Sequence, residues 1–227
     1  MPRSVFARAR WSVGLATLLG IGAMVRYPGG TALDRASHGY SLTHNFLSDL
    51  GMTVAYDGQP NRLGALLFVL SLCVVVLGLG GCLLGFVRLY SRPAASLRWA
   101  RAAGAVGFLV CAAFVGVAVT PENEAMTLHV GFTLFAFRVF PLASCFLAIA
   151  SLRSKACPRR VTIAWAALTL VLVWYVGVLG WGPGLGTPDG LMINVIAQKI
   201  VAILSVSIIV YLSVEADRVM AAARDRD

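Results

Sequence analysis

The chain has 227 residues, of which 59% are hydrophobic and only 13% are charged, and its mean hydropathy is +0.81. Soluble domains carry about 25% charged residues, so this composition excludes an ordinary soluble fold. The formal net charge of +9 does not indicate nucleic-acid binding, because the basic residues lie in short clusters between long apolar runs. That distribution is typical of membrane proteins, and the expected partner is membrane lipid.

Six apolar runs are long enough to span a hydrocarbon core of about 30 Å. They predict an all-α, single-domain bundle of six transmembrane helices over 1–227. The first run is the weakest, because Arg10 and Arg26 bracket only 15 residues, and it could instead belong to a signal peptide. The six predicted spans cover about 11–27, 61–87, 102–120, 128–152, 161–182 and 190–213.

The basic residues also predict the orientation of the bundle. Fourteen of the 19 lysines and arginines fall in segments on one side, three on the other, and two within spans. Lysine and arginine concentrate on the cytoplasmic side, so both termini are predicted to be cytoplasmic and the protein is placed in the cell (inner) membrane. All three histidines and six of the ten acids are on the outer side. Polar chemistry is therefore expected at the outer face.

The longest outer segment contains the densest polar pattern. At about 3.6 residues per turn, residues 41–50 predict a short amphipathic helix with Leu42 and Phe46 on its apolar side. Ser41 is a plausible N-cap and Gly51 a plausible stop. A short helix of this kind fits at the mouth of the bundle.

Two cations are predicted near the middle of the membrane, Arg138 in the fourth span and Lys199 in the sixth. A buried cation there is costly and normally faces the bundle interior with a partner. No acid lies within a predicted span. Lys199 could extend outward, Arg138 could use the Phe137 carbonyl that Pro141 leaves free, or both could hold an anion.

These cations, with nearby polar residues, are the predicted ligand-binding set. Asn194 and Gln198 are four residues apart on one face of the sixth span, a spacing that faces protein or a cavity more often than lipid. Plain hydrogen bonding between helices is the alternative use of such a stripe. The predicted binding residues are Ser48, Asn45, Arg138, Asn194, Gln198 and Lys199.

The outer face also holds residues that could act as acids or bases. The candidates are Asp49, His129, His44 and Glu122, a set suited to general acid–base work or to zinc with an open position. The chain has neither a His-x-x-x-His nor a His-Glu-x-x-His motif. We therefore predict no metal and no cofactor, and a hydrogen-bonded cluster that docks the outer segment is the alternative.

Residues 45–51 read Asn-Phe-Leu-Ser-Asp-Leu-Gly and are followed by Asn61 and a glycine-rich second span. With the Pro121-Glu122 turn and His129, this pattern resembles a bacterial and archaeal membrane family called Domain of Unknown Function 998. The resemblance implies a six-helix membrane fold distantly similar to Frag1/DRAM-like proteins, some of which are linked to lipid remodelling or lipid-dependent membrane organisation. It assigns the family positions to Ser48, Asp49, Glu122 and His129.

Three functions remain open from the sequence. The first is binding of a lipid, an anionic headgroup or a protein partner in an outward-facing polar pocket, with a homo-oligomer also possible. The second is an intramembrane lipid-modifying enzyme that uses Asp49 and His129 as acid and base. The third is a pathway for a small solute or a proton along Asn194, Gln198 and Lys199.

Overall fold

The computed structural model describes residues 5–154 and 157–224, and within these ranges it contains six α-helices and no β-strand. The predicted all-α, six-helix fold is therefore confirmed. Arg3, Lys155 and Arg226, which contribute to the predicted charge bias, lie outside the described residues. The helices are α1 Val5–Arg26, α2 Arg62–Leu89, α3 Ala94–Val119, α4 Glu122–Arg153, α5 Arg159–Trp181 and α6 Pro188–Arg224.

Helices α2 to α6 are each long and apolar enough to cross a membrane. Helix α1 has 22 residues and is shorter than the others, but it also presents an apolar face to the outside. Trp11, Leu15, Leu18 and Val25 are all exposed and lie three to seven residues apart, which places them on one side of the helix. Several long helices whose exposed surfaces are apolar define an integral, multi-pass membrane protein.

The helices are arranged as a ring in which each packs against its neighbours in sequence, and α1 closes the ring against α6 more loosely than the other pairs. The two chain ends meet at one end of the bundle, where Arg10 Nη2 of α1 lies 2.9 Å from Asp217 Oδ2 of α6. We call the opposite end, which carries the long loop 27–61, the outer end. Phe6 of α1 is fully buried and packs against Phe86, so α1 is part of the core.

Glycines of α2 allow α1 to approach closely. A Cβ on Gly78 would lie 2.6 Å from the Cβ of Ser12, and one on Gly85 would lie 2.8 Å from the Phe6 ring. Both distances are too short for a real contact, so only glycine fits at these positions. Small residues that let helix backbones approach are a common basis of packing in membranes, where the hydrophobic effect does not drive helices together.

The amphipathic helix predicted over 41–50 is not formed over that length. The Ser41 hydroxyl does accept a hydrogen bond from the His44 amide (3.2 Å), as an N-cap would, but only turns follow. The Asp49 carboxylate then accepts the Phe46 amide at 3.0 Å, and a single 3-10 turn covers Ser48–Gly51. Short polar side chains compete for backbone groups in this way, which is why the regular helix is interrupted.

Candidate functional site

The outer loop is held on α6 by two neighbouring side chains. The Leu47 amide donates to Gln198 Oε1 at 2.7 Å, and Lys199 Nζ donates to the Asn45 carbonyl oxygen at 2.5 Å. We call residues 45–50 the roof segment, because they cover the outer end of the bundle. The loop is also tied to the start of α4, where the Thr53 amide donates to Asn123 Oδ1 at 3.0 Å.

The ammonium group of Lys199 is surrounded by loop atoms. Besides its bond to the Asn45 carbonyl, it lies 5.2 Å from the centre of the Tyr40 ring, within the range of a cation–π contact. The Tyr40 hydroxyl in turn donates to the carbonyls of Asn45 and Phe46, both at 3.1 Å. The partners of this cation are therefore a carbonyl dipole and an aromatic ring, both supplied by the loop.

Asp49 lies at the centre of the roof segment and is only 1% exposed. Its Oδ2 accepts the Asn45 side-chain amide at 2.9 Å and the Phe46 amide at 3.0 Å, while Oδ1 has no hydrogen-bond partner among the described residues. Burial, and next the charge of Glu122, raise the pKa of Asp49 to about 8, against the opposing effects of these hydrogen bonds and of Lys199. Burial thus favours the protonated form of Asp49, which can donate a hydrogen bond through Oδ1.

Glu122 lies between a serine and a histidine at the start of α4. Ser48 Oγ donates to Glu122 Oε2 at 3.5 Å, and His129 Nε2 lies 3.9 Å from the same oxygen. His129 Nδ1 must donate to the Thr120 carbonyl at 2.7 Å, because a carbonyl oxygen only accepts. In a nucleophilic triad the histidine lies between serine and carboxylate; here the carboxylate occupies the middle, so Ser48 is not activated in that way.

A cavity of 540 Å³ lies directly below the roof segment, between α1, α2 and α6, with α3 and α4 at its back. Its lining is predominantly apolar. At its outer end it is lined by Ser48 and Gln198, and further in by Thr133 and Ser205. The hydroxyls of Thr133 and Ser205 are buried and have no hydrogen-bond partner within the described part of the chain. The cavity thus has a mostly apolar interior with a few polar groups that lack hydrogen-bond partners among the described residues.

The cavity opens sideways where α1 and α6 meet. Thr17 and Ile21 of α1 and Ile203 and Ser207 of α6 line it and are also exposed on the outer surface of the bundle. This is the loosest junction of the helix ring. In a bilayer that side would face lipid chains rather than water.

The structure does not bring all of the sequence-predicted residues together. Arg138 is exposed and does not line the cavity, whereas Phe137 beside it does, because successive residues point about 100° apart on a helix. Asn194 donates to the carbonyls of Pro183 (2.8 Å) and Gly190 (2.9 Å), which ties down the third outer loop. His44 Nδ1 pairs with the neighbouring Thr43 hydroxyl at 2.8 Å in the loop.

Over most of its length, the polar stripe of α6 is hydrogen-bonded to the outer loops. Asn194, Gln198 and Lys199 each contact outer-loop backbone, and only Gln198 also lines the cavity. Sequence reasoning missed Tyr40 and Thr133. Thr133 had a usable signal, since it lies one turn after His129 on the same face of α4. Tyr40 had none, because its contact with Lys199 spans two distant segments.

Among the described residues, no group of three or more His, Cys, Asp or Glu side chains is arranged to hold a metal ion. The fold and site define a polytopic helical membrane protein whose outer loop roofs an apolar cavity. Comparisons of the chain with protein-family models, with curated proteins and with solved structures found no match.

Proposed function

We propose that this integral membrane protein binds a membrane lipid, with an acyl chain in the cavity and the headgroup under the roof segment. The observation that carries the proposal is the 540 Å³ apolar cavity, which opens between α1 and α6 and ends at polar groups. This volume lies within the range of about 300–1,000 Å³ usual for small-molecule sites. The opening would admit a chain directly from the bilayer.

The chemistry of the lining favours a lipid chain over water. The cavity lining is mostly apolar, and an empty cavity of this kind loses the dispersion contacts of every atom that lines it. In a bilayer the apolar material beside the α1–α6 opening is acyl chain. A chain that enters the cavity restores those contacts without breaking any hydrogen bond.

The acyl chain alone gives little affinity, because lipid tails outside the protein are as apolar as the cavity. Selectivity must therefore come from the polar end, where Ser48 and Gln198 line the cavity. The sequence-based hypothesis of an anionic headgroup relied on Lys199 and Arg138. Lys199 is covered by the loop and Arg138 is exposed elsewhere, and among the described residues no lysine or arginine lines the cavity.

The alternatives have weaker support. An enzyme that uses Asp49 and His129 would need both groups at the bound lipid, and neither lines the cavity. A solute pathway along the stripe of α6 would compete with the loop contacts of Asn194 and Lys199. The resemblance to the Domain of Unknown Function 998 family and the predicted cell-membrane location both agree with a lipid ligand at the outer leaflet.

Filling the cavity tests the proposal. Ala202 lines the cavity, while Leu204, two residues on in α6, faces outward, so Ala202→Phe and Leu204→Phe form a matched pair. We expect native mass spectrometry of gently purified protein to detect retained lipid for the wild type and Leu204→Phe, and at least tenfold less for Ala202→Phe. Equal retention by all three proteins, or no lipid on any of them, would contradict the proposal.

A further inference from the structure

We propose that the outward side of α4 around Arg138 is an interaction surface for a membrane helix of another protein, one that carries a carboxylate at the same depth. That carboxylate would hold the Arg138 guanidinium within the membrane. The inference is independent of lipid binding, because Arg138 does not line the cavity. It depends on the depth of Arg138, on its exposure and on the lack of a partner for it within the described part of the chain.

Arg138 lies at the middle of a membrane-spanning helix. Helix α4 runs from Glu122 to Arg153, so Arg138 is 16 residues from its outer end and 15 from its inner end. A hydrocarbon core of about 30 Å puts the centre of a spanning helix about 15 Å from either headgroup layer, farther than an arginine side chain extends. Arginines near helix ends can reach the membrane surface, but one at the centre needs a partner within the membrane.

The side chain of Arg138 has no such partner in its own chain. Arg138 is exposed, and it forms none of the hydrogen bonds or ion pairs found among the described residues. Lys199, the other cation within a span, is by contrast bonded to the Asn45 carbonyl and covered by Tyr40. Ionisable residues within a membrane normally face protein or a cavity and pair with another group. An exposed arginine at this depth therefore indicates a surface that another protein covers.

The surface around Arg138 suits a second helix. Gly131 and Phe135 lie seven and three residues before it and Leu142 lies four after it, which places all four residues on one side of α4. Phe135 is 45% exposed and Leu142 is 51% exposed, and a Cβ on Gly131 would meet nothing within 4 Å. An exposed glycine lets another helix approach closely. The complement of this apolar face with one central cation is an apolar helix with one central carboxylate.

A second copy of this chain does not supply that carboxylate. By sequence, none of the ten acids lies within an apolar run. Even Glu215, nine residues before the end of α6, is already bonded to Arg160 and Arg218, both at 2.6 Å. A lipid phosphate belongs to the headgroup layer rather than to the middle of the hydrocarbon. The occupant that fits is therefore a helix of a different membrane protein.

Designed peptides test the inference. Purified full-length protein would be reconstituted in phosphatidylcholine vesicles with a leucine–alanine peptide of about 22 residues, long enough to span the bilayer, that carries glutamate, glutamine or leucine at its centre and a dansyl group at one end. Energy transfer from the five tryptophans of the protein to the dansyl group measures association. We expect the glutamate peptide to associate at least tenfold more strongly than the leucine peptide, the value of one charge-assisted hydrogen bond, with the glutamine peptide between them.

Arg138→Met should bring the three peptides to near-equal association, whereas Arg138→Lys should keep the preference for glutamate. Arg26→Met, which removes an exposed arginine from the outer end of α1, is the control and should behave as the wild type.

Equal association of the three peptides with the wild type would overturn the inference. So would self-association of the wild type, measured without peptide, that Arg138→Met abolishes, because a second copy would then be the partner. Preferential retention of phosphatidylglycerol that Arg138→Met abolishes would overturn it too, because the partner would then be a lipid phosphate. The peptide comparison on the wild type needs no variant, so it stands even if Arg138→Met does not fold.

Discussion

At the scale of single residues, the outer end of the bundle is closed by hydrogen bonds of two ionisable side chains, Lys199 of α6 and Asp49 of the loop. Lys199 donates to a loop carbonyl, and Asp49, a carboxyl group 1% exposed, accepts two hydrogen bonds within its own turn. Neither group forms a direct ion pair with the other, although each is near enough to affect the other's ionisation. The roof segment is therefore closed mostly by hydrogen bonds to backbone, and its stability should depend on the proton of Asp49.

The variant Asp49→Asn tests whether protonation of Asp49 makes the stability of the protein depend on pH. The pKa of Asp49 is raised from its ordinary value of about 3.9 to about 8, so the folded protein holds a proton that the unfolded chain has lost. That contribution to stability is complete below pH 4 and is lost as the pH rises through 8, by at most about 1.4 kcal/mol per unit. We expect thermal unfolding of the wild type to occur at lower temperature as pH rises from 5 to 8.5.

Glu122, Lys199, Tyr27, Tyr40 and Tyr56 share the environment of Asp49, and the variant leaves them in place. The asparagine variant should therefore show a clearly flatter pH profile and exceed the wild type at pH 8.5. A variant whose profile parallels that of the wild type would show that Asp49 does not carry the dependence.

Lys199→Met tests the attachment of the roof segment, with Arg138→Met as its control. Both changes remove a cation from a membrane-spanning helix, but only Lys199 contacts the loop. Losing one charge-assisted hydrogen bond of about 1.5–3 kcal/mol should raise amide hydrogen exchange in residues 40–50 by roughly 10- to 100-fold. Exchange there should be unchanged in Arg138→Met. Unchanged exchange in both variants would mean that Lys199 does not hold the loop.

At the scale of elements, α1 packs closely into the bundle because α2 has glycines where the two helices meet. Helix α1 is the least apolar of the six described helices, and it is the one among them that is not long and apolar enough to be a clear membrane span. Its inner face is nonetheless built into the core through Phe6 and through contacts with Gly78 and Gly85. Helix α1 is therefore an integral part of the bundle core.

Gly85→Leu should break this packing. Any Cβ at Gly85 meets the Phe6 ring and Val5 at 2.8 Å, whereas one at Gly180 of α5 meets nothing within 4 Å. Overpacking of this kind costs about 1–3 kcal/mol. We expect Gly85→Leu to lower the unfolding temperature in detergent and broaden the size-exclusion peak, with Gly180→Leu close to wild type. Two variants of equal stability would argue against close packing of α1 on α2.

The helices were predictable from sequence, whereas the site was predictable only in part. Hydropathy fixes the spans because a membrane helix must bury its own backbone polar groups over about 20 residues. The prediction of a helix over 41–50 was wrong in length. The Asp49 carboxylate accepts a hydrogen bond from the Phe46 backbone amide, which in a regular helix would bond a backbone carbonyl. The sequence predicts how deep Arg138 and Lys199 lie in the membrane, but not which face of its helix each one occupies. It therefore could not separate the exposed cation from the one that contacts the loop. A cavity is a space that side chains leave unfilled, so no sequence motif indicates where it lies.

At the scale of the whole molecule, six helices form a ring with one loose junction, and the outer loop closes the end above it. The basic segments concentrate at the opposite end, which supports a cytoplasmic position for both termini. A greasy cavity that opens toward lipid and ends at a polar roof is the arrangement expected of a protein that takes a lipid from one leaflet. The central claim is that this cavity holds an acyl chain.

The most direct measurement is a cryo-electron microscopy map of the protein in lipid nanodiscs, made large enough for alignment by a bound antibody fragment. We expect elongated density between α1, α2 and α6, running from the α1–α6 opening to a broader feature below Ser48 and Gln198. A cavity closed by movement of α1 onto α6, or one occupied only by separate water peaks, would contradict it.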